Sequence, residues 1–119
     1  MKIVFIVDDC KTNLMAVKVA LEGIYQTHAM TSAASMFKLL EQITPHLVLL
    51  DIEMPEMTGF EAMTRLNSNP RTAGIPIILL TAYSDKETVA MGLALEAEDY
   101  IVKPFASHIL LERIQKHIN

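Results

Sequence analysis

The sequence predicts an α/β fold in which a doubly wound parallel sheet of five strands is covered by five helices. Short apolar runs alternate with longer amphipathic segments, and the alternation occurs five times along 119 residues. A continuous apolar run of about 4–8 residues is typical of a strand that is buried on both faces. Strands that alternate with helices form parallel sheets with helices packed on both faces. A chain of this length fits one domain, and we expect residues 1–119 to form it.

The predicted strands are the apolar runs at 3–7, 26–30, 47–50, 75–80 and 100–102. The second run is the least apolar, and only its position between two helical segments indicates a strand. The predicted helices lie at about 11–23, 33–43, 59–68, 85–95 and 106–118. Capping boxes at Thr58 with Glu61 and at Ser84 with Glu87 predict the starts of the third and fourth helices. The apolar face of the first helix is expected to comprise Leu14, Val17, Val19 and Leu21.

Composition excludes several classes of function. With 51% apolar and 20% charged residues, the chain is close to the globular average, which argues against disorder. Its net charge of -4 argues against a nucleic-acid-binding surface, which needs clustered Lys and Arg. No apolar run approaches the roughly 20 residues of a membrane span, and the single cysteine, Cys10, fits a reducing compartment. We therefore expect a cytoplasmic protein that binds neither nucleic acid nor membrane.

Ligands of such a sheet are expected at the carboxyl ends of its strands. Asp8 and Asp9 follow the first predicted strand, and Asp51 follows the third. Thr81 follows the fourth strand, and Lys103 follows the fifth. These side chains converge if the sheet order brings the four strands together. Because three carboxylates repel one another, a hard divalent cation such as Mg²⁺, which prefers carboxylate oxygens and water, suits the cluster.

A carboxylate cluster with magnesium, a lysine and a threonine is suited to phosphoryl transfer, where the protein mainly positions groups and neutralises charge. The nucleophile must be a carboxylate, because no Ser/His/Asp or Cys/His constellation follows the strands. We choose Asp51, which lies on the central strand and leaves Asp8 and Asp9 to hold the metal. Each residue also has a simpler interpretation, as a helix cap, a β-former or a loop lysine. Their joint occurrence at strand ends favours a functional site.

Four segments resemble the landmarks of the receiver domains of two-component response regulators. They are Val7-Asp8-Asp9, Leu49-Leu50-Asp51-Ile52-Glu53-Met54-Pro55-Glu56-Met57-Thr58-Gly59, Leu80-Thr81-Ala82 and Asp99-Tyr100-Ile101-Val102-Lys103-Pro104-Phe105. They occur in the family's order and at its spacing, and the resemblance covers essentially the whole chain. It implies the flavodoxin-like receiver fold with strand order 2-1-3-4-5.

The resemblance also implies roles in phosphorylation. Asp51 would be the phosphoacceptor, and Asp8, Asp9 and the backbone carbonyl of Glu53 would hold Mg²⁺ beside it. Glu53 and Tyr83 would tune the lifetime of the phosphoryl group by controlling access of the hydrolytic water. A histidine kinase or a phosphotransfer protein would be the donor. The chain would assist its own phosphorylation and dephosphorylation without turning over an external substrate, and so would not be an enzyme.

A conformational switch is implied as well. Thr81 and Lys103 would bind the phosphoryl oxygens, and Tyr100 would turn inward as Thr81 moves toward the phosphoryl group. The bond between Lys103 and Pro104 is expected to be cis. The change would remodel the face of the fourth helix, fifth strand and fifth helix, which would bind a downstream effector domain or protein and is compatible with a homodimer. Three residues either add apolar surface to this face or pack into the core: Met91, Leu95 and Ile109.

One position departs from the family pattern. Receivers commonly have Gly-Ala-Asp/Glu-Asp-Tyr before the last strand, whereas Glu96 stands here in place of the glycine. Glycine suits the left-handed residue that ends a helix, and another residue there costs about 1 kcal/mol. The fourth helix therefore either ends differently or has a strained junction. This bears on the conformational output and not on the phosphorylation chemistry.

Two alternatives to a phosphorylated switch remain at this point. A haloacid-dehalogenase-type phosphatase also uses a strand-end Asp, Thr and Lys with Mg²⁺. Its nucleophile follows the first strand in an Asp-x-Asp pattern, however, whereas Asp8 and Asp9 are adjacent. The other alternative is a binding module with the receiver fold that is never phosphorylated. The intact acceptor, metal and phosphate-binding residues argue against it.

Overall fold

The computed structural model describes residues 1–82 and 85–118, in which five helices alternate with five parallel strands. The elements are β1 (Ile3–Val7), α1 (Lys11–Leu21), β2 (Gln26–Met30), α2 (Ala33–Leu40), β3 (Leu47–Asp51), α3 (Gly59–Ser68), β4 (Ile77–Thr81), α4 (Lys86–Ala94), β5 (Asp99–Val102) and α5 (Ser107–His117). The sheet order is β2-β1-β3-β4-β5, which confirms the predicted fold. None of the helices described is both long and apolar enough to cross a membrane.

The sheet separates two apolar layers, because successive residues of a strand point to opposite faces. On one face, alternate residues of β1, β3 and β4 pack against α2 and α3. On the other face, the intervening residues pack against α1 and α5. All residues of β3 and β4 are buried, as expected for central strands covered on both sides. This rigid centre fixes the positions of the residues at the ends of β3 and β4.

Some element boundaries differ from the prediction. Helix α1 ends at Leu21 and not at residue 23, because Gly23 has a φ of 79° and turns the chain toward β2. Strand β4 begins at Ile77 and not at residue 75, because Pro76 has no N–H to donate to the ladder. Val19, expected on the buried face of α1, is 63% exposed. It lies about 200° around the helix from the buried Val17.

The capping box of α3 is confirmed. Thr58 Oγ1 accepts a hydrogen bond from the N–H of Glu61, and the Glu61 carboxylate accepts one from the N–H of Thr58. At the start of α4 the prediction was one residue too early, because Asp85 is the N-cap and accepts from the N–H of Thr88 at 3.1 Å. Ser84 lies outside the described residues.

Helix α4 is held mainly at its carboxyl end. Gly92 is its only buried residue. The helix ends with Glu96 at a φ of 68°, and the N–H of Ala97 bonds the Gly92 carbonyl at 3.0 Å. Asn67 of α3 donates its Nδ2 to the Leu95 carbonyl at 2.7 Å. The helix thus ends in the usual left-handed geometry with a glutamate where glycine is favoured, and the expected alternative of a strained junction is the correct one.

Candidate functional site

The sheet brings the predicted residues together at one edge. Asp51 and Thr81 are the last residues of β3 and β4, Asp8 lies directly after β1, and Lys103 lies directly after β5. The registers Val7 with Leu50, Asp51 with Leu80 and Thr81 with Val102 align these ends. Asp8, Asp51 and Thr81 are 1%, 5% and 2% exposed, whereas Asp9 is exposed.

Lys103 bridges the two buried carboxylates. Its Nζ lies 2.8 Å from Asp8 Oδ2 and 3.1 Å from Asp51 Oδ1. Its backbone N–H bonds the Thr81 carbonyl at 2.7 Å, which fixes the start of its side chain beside β4. Burial alone would lower the pKa of Lys103, but its hydrogen bond with Asp8 and its proximity to Asp51 outweigh burial and raise the pKa. The ammonium therefore stays charged next to both acids.

Asp51 is the acid that the site perturbs most. The pKa of Asp51 is raised from 3.8 to about 6, mainly by burial and further by the nearby charges of Asp8 and Asp9. The charge and hydrogen bond of Lys103 lower it, and offset only part of the rise. One lysine is thus insufficient to stabilise the ionised form of Asp51 in this cluster.

The acidic cluster fits a hard divalent cation. One oxygen from each of Asp8, Asp9 and Asp51 can be chosen so that all three lie within 4.8 Å of one another. Three ionised carboxylates and the single ammonium of Lys103 leave a local charge of about −2, which a divalent ion would balance. The donors are all oxygens, the type that Mg²⁺ prefers, and the open side of the site leaves room for its water ligands.

The loop after β3 is shaped by a glycine. The N–H of Gly59 donates to the Ile52 carbonyl at 2.8 Å, so α3 begins directly against the end of β3. A Cβ at Gly59 would lie 2.4 Å from the carbonyl oxygen of Asp51 and 2.8 Å from Ile52 Cα. Because both atoms belong to the backbone, a larger residue would displace Asp51 itself. Glu56, in the same loop, adopts a φ of 70°.

An open cleft of about 530 Å³ leads to the acidic cluster. Glu53 is exposed and lines this cleft, whereas Tyr83 lies outside the described residues. Asn13 and Thr58 also line it and were not predicted from the sequence. The sequence feature that could have indicated Asn13 is a polar side chain in the first turn of the helix that follows Asp8 and Asp9.

Tyr100 connects the site to α5. Its side chain is half-buried and lines a narrow, largely apolar cavity beneath α4, together with Thr81. Its carbonyl accepts from Arg113 Nη1 at 2.9 Å, and its N–H donates to Asp99 Oδ1 at 2.8 Å. Arg113 and His117 of α5 each lie 3.1 Å from the Asp99 carboxylate.

Two other features of this region concern expectations from the sequence, namely the peptide bond before Pro104 and the burial of three apolar residues. The Lys103–Pro104 bond is cis. Of the three apolar residues assigned either to the surface or to the core, Met91 is 52% exposed, Leu95 packs against the core, and Ile109 is half-buried.

A 2-1-3-4-5 parallel sheet with an acid cluster and a lysine at its carboxyl edge defines a receiver-like signalling fold. The chain belongs to the response regulator receiver domain family, whose model matches residues 4–115. This assignment favours a signalling role over the phosphatase alternative.

Known proteins similar to the chain include proteins several times its length and chains of nearly its own length. It is 37% identical over 115 residues to a probable cyclic di-GMP phosphodiesterase of Vibrio cholerae, covering 97% of the chain and 26% of that protein. The chemotaxis protein CheY4 of Vibrio cholerae has a TM-score of 0.94 at 26% identity and covers 99% of both chains. The receiver domain of a histidine kinase from Syntrophus aciditrophicus has a TM-score of 0.89 at 32% identity, covering 98% of this chain and 89% of that one. Across five curated relatives, the chain spans 22% to 50% of the relative's length.

Proposed function

We propose that this chain is a phosphorylation switch in which Asp51 accepts a phosphoryl group from a histidine kinase or a phosphotransfer protein. The observation that carries the proposal is the cluster at the carboxyl edge of the sheet, where Lys103 Nζ lies 2.8 Å from Asp8 and 3.1 Å from Asp51. Asp8, Asp9 and Asp51 would hold Mg²⁺ through their carboxylate oxygens. The backbone carbonyl of Glu53 would complete the set of protein ligands, a role that the family resemblance implies. Bound magnesium would supply positive charge beside the transferring group.

The reaction requires little of the protein beyond positioning. A carboxylate oxygen of Asp51 attacks the phosphorus of a phosphohistidine, and a new P–O bond forms while the P–N bond breaks. The bonding electron pair returns to the donor imidazole, and Asp51 becomes an acyl phosphate. Lys103 and Thr81 then bind the equatorial oxygens, where charge is spread in the transition state. Hydrolysis by a water molecule resets the switch, and Glu53 and Tyr83 would tune its rate.

The output is a shift between two conformations. Contacts of the new phosphoryl group with Thr81 and Lys103 supply the differential free energy that a two-state switch needs. Thr81 and Tyr100 line the same cavity beneath α4, so a movement of Thr81 changes the space available to the Tyr100 ring. The face formed by α4, β5 and α5 would then bind an effector or a second copy of the chain.

The test is the intact mass after incubation with acetyl phosphate, with and without Mg²⁺. We expect the native protein to gain one phosphoryl group only with Mg²⁺, and the Asp51→Asn variant to gain none. Turnover of p-nitrophenyl phosphate would instead support a phosphatase. No mass gain under any condition, together with no Mg²⁺ binding, would support an unphosphorylated binding module.

The role of Tyr100 can be separated from the chemistry. In the Tyr100→Ala variant, we expect phosphorylation by acetyl phosphate to remain close to native, because the ring lies outside the acidic cleft. Phosphorylation should change the amide hydrogen exchange of α4 and α5 less in this variant than in the native protein. Loss of phosphorylation in this variant would contradict the assignment of Tyr100 as a switch residue.

A further inference from the structure

Asn13 is a residue of the acidic cleft that the proposed chemistry does not use. It lies in the first turn of α1, is half-buried, and lines the cleft together with Asp8, Asp9 and Asp51. Among the described residues, its carboxamide makes no hydrogen bond. A side chain with two donors and an acceptor therefore faces the cleft without a protein partner.

Helix stability does not explain an asparagine at this position. Asparagine is a poorer helix former than alanine, leucine or lysine. It does not cap the helix either, because Cys10 is the N-cap and no side chain makes a capping hydrogen bond there. An Asp or a Glu in the first turn would interact better with the helix dipole, yet α1 has no acidic residue there. The helix dipole favours aspartate at this position, but the residue present is asparagine, its neutral counterpart.

The chemistry of the cleft gives a reason for a neutral oxygen. A fourth carboxylate would add to the repulsion among Asp8, Asp9 and Asp51, whereas a carboxamide adds an acceptor oxygen without charge. Mg²⁺ retains several water ligands when it is bound by a few carboxylates. These waters are strong hydrogen-bond donors, and protein groups around a metal site commonly orient them.

We propose that Asn13 is a positioning residue whose Oδ1 accepts a hydrogen bond from a water ligand of the divalent cation held by Asp8, Asp9 and Asp51. This inference rests on the proposed magnesium site. It concerns the affinity for the hydrated ion, and Asn13 is not a ligand or a nucleophile. The expected effect of removing the acceptor is the loss of one hydrogen bond to the ion's hydration shell.

The test is the Kd for Mg²⁺ measured by isothermal titration calorimetry without a phosphodonor. Asn13→Leu keeps the shape of the side chain and removes the acceptor, and it should weaken binding by about 3- to 10-fold. Asn13→Asp keeps the acceptor and should bind at least as tightly as the native protein. Thr12→Leu, at an exposed neighbouring position of the same turn, is the control and should leave the Kd unchanged. Thermal unfolding in EDTA checks that each variant is folded.

Other results would refute either the role of Asn13 alone or the magnesium site as well. A native Kd in Asn13→Leu, or equal weakening in Asn13→Leu and Asn13→Asp, would refute the role of the acceptor oxygen. In either case the native protein would still bind Mg²⁺, and the proposed switch would stand. A native protein that binds no Mg²⁺ would refute both the role of Asn13 and the magnesium site on which it depends.

Discussion

Ionisation of Asp51 should destabilise the metal-free protein. Its pKa is raised from 3.8 to about 6, mainly by burial. The folded protein therefore retains a proton on Asp51 at pH values where the unfolded chain has released it. The resulting stabilisation is fully present below about pH 4 and is lost as the pH rises through about 6. A shift of about two pKa units, at about 1.4 kcal/mol each, gives an upper value of about 3 kcal/mol.

The assay compares the native protein with Asp51→Asn, which cannot ionise at this position. The free energy of unfolding is measured by urea denaturation in EDTA from about pH 4 to about pH 7. The native value minus the variant value should fall by about 2–3 kcal/mol over this range. Saturating Mg²⁺ should largely remove the fall, because the cation stabilises the ionised carboxylate.

A difference between native and variant that stays constant within about 0.5 kcal/mol from pH 4 to pH 7 would refute this account of the Asp51 site. Lys103 does not obscure the result. Its pKa is raised from 10.5, so it remains protonated in the folded and the unfolded chain throughout this range. The measurement therefore reports on the acid and not on its cationic partner.

Two further predictions concern the backbone. Gly59→Ala should lower the free energy of unfolding by about 1–3 kcal/mol and slow phosphorylation by acetyl phosphate, because its Cβ would lie 2.4 Å from the Asp51 carbonyl oxygen. A Gly59→Ala variant with native stability and a native rate of phosphorylation would contradict the close approach of Gly59 to the Asp51 carbonyl oxygen. Glu96→Gly should raise the free energy of unfolding by about 0.5–1 kcal/mol by relieving a φ of 68°, whereas Glu41→Gly, at the C-cap of α2 with a φ of -67°, should lower it. The same sign for both glycine substitutions in urea denaturation would contradict the strain at Glu96.

Much of the fold is readable in the sequence, because buried parallel strands leave continuous apolar runs. The apolar run at 3–7 matches β1 to the residue. Residues 26–30 also match β2 to the residue, but they were assigned from their position between two helical segments and not from an apolar run. The ends of other elements depend on single backbone hydrogen bonds and dihedrals, such as the turn at Gly23 and the missing donor of Pro76. Helix period alone does not reveal these features. The strand order came from the family resemblance, since alternation of elements does not specify which strands are neighbours.

The acidic centre was predictable for a related reason. The carboxyl ends of parallel strands lie at the same edge of a sheet, so Asp8, Asp51 and Lys103 could be grouped from the sequence on the condition that the strand order brings their strands together. Asn13 was missed because its place in the cleft depends on the direction of α1 relative to β1. Arg113 was missed because its contact with the backbone of β5 depends on how α5, the next element of the chain, packs against the sheet, and the sequence pattern does not specify that packing.

The contact between Arg113 and Tyr100 has a consequence for the exposed border of the sheet. β5 lies at one end of the strand order, and its backbone groups alternate in direction. Since the N–H of Lys103 points to Thr81 of β4, the N–H and C=O of Tyr100 point away from the sheet. Asp99 and Arg113 bond these two groups, at a place where another chain could otherwise add a strand. The side chains that support Tyr100 thus also hinder edge-to-edge aggregation of the protein.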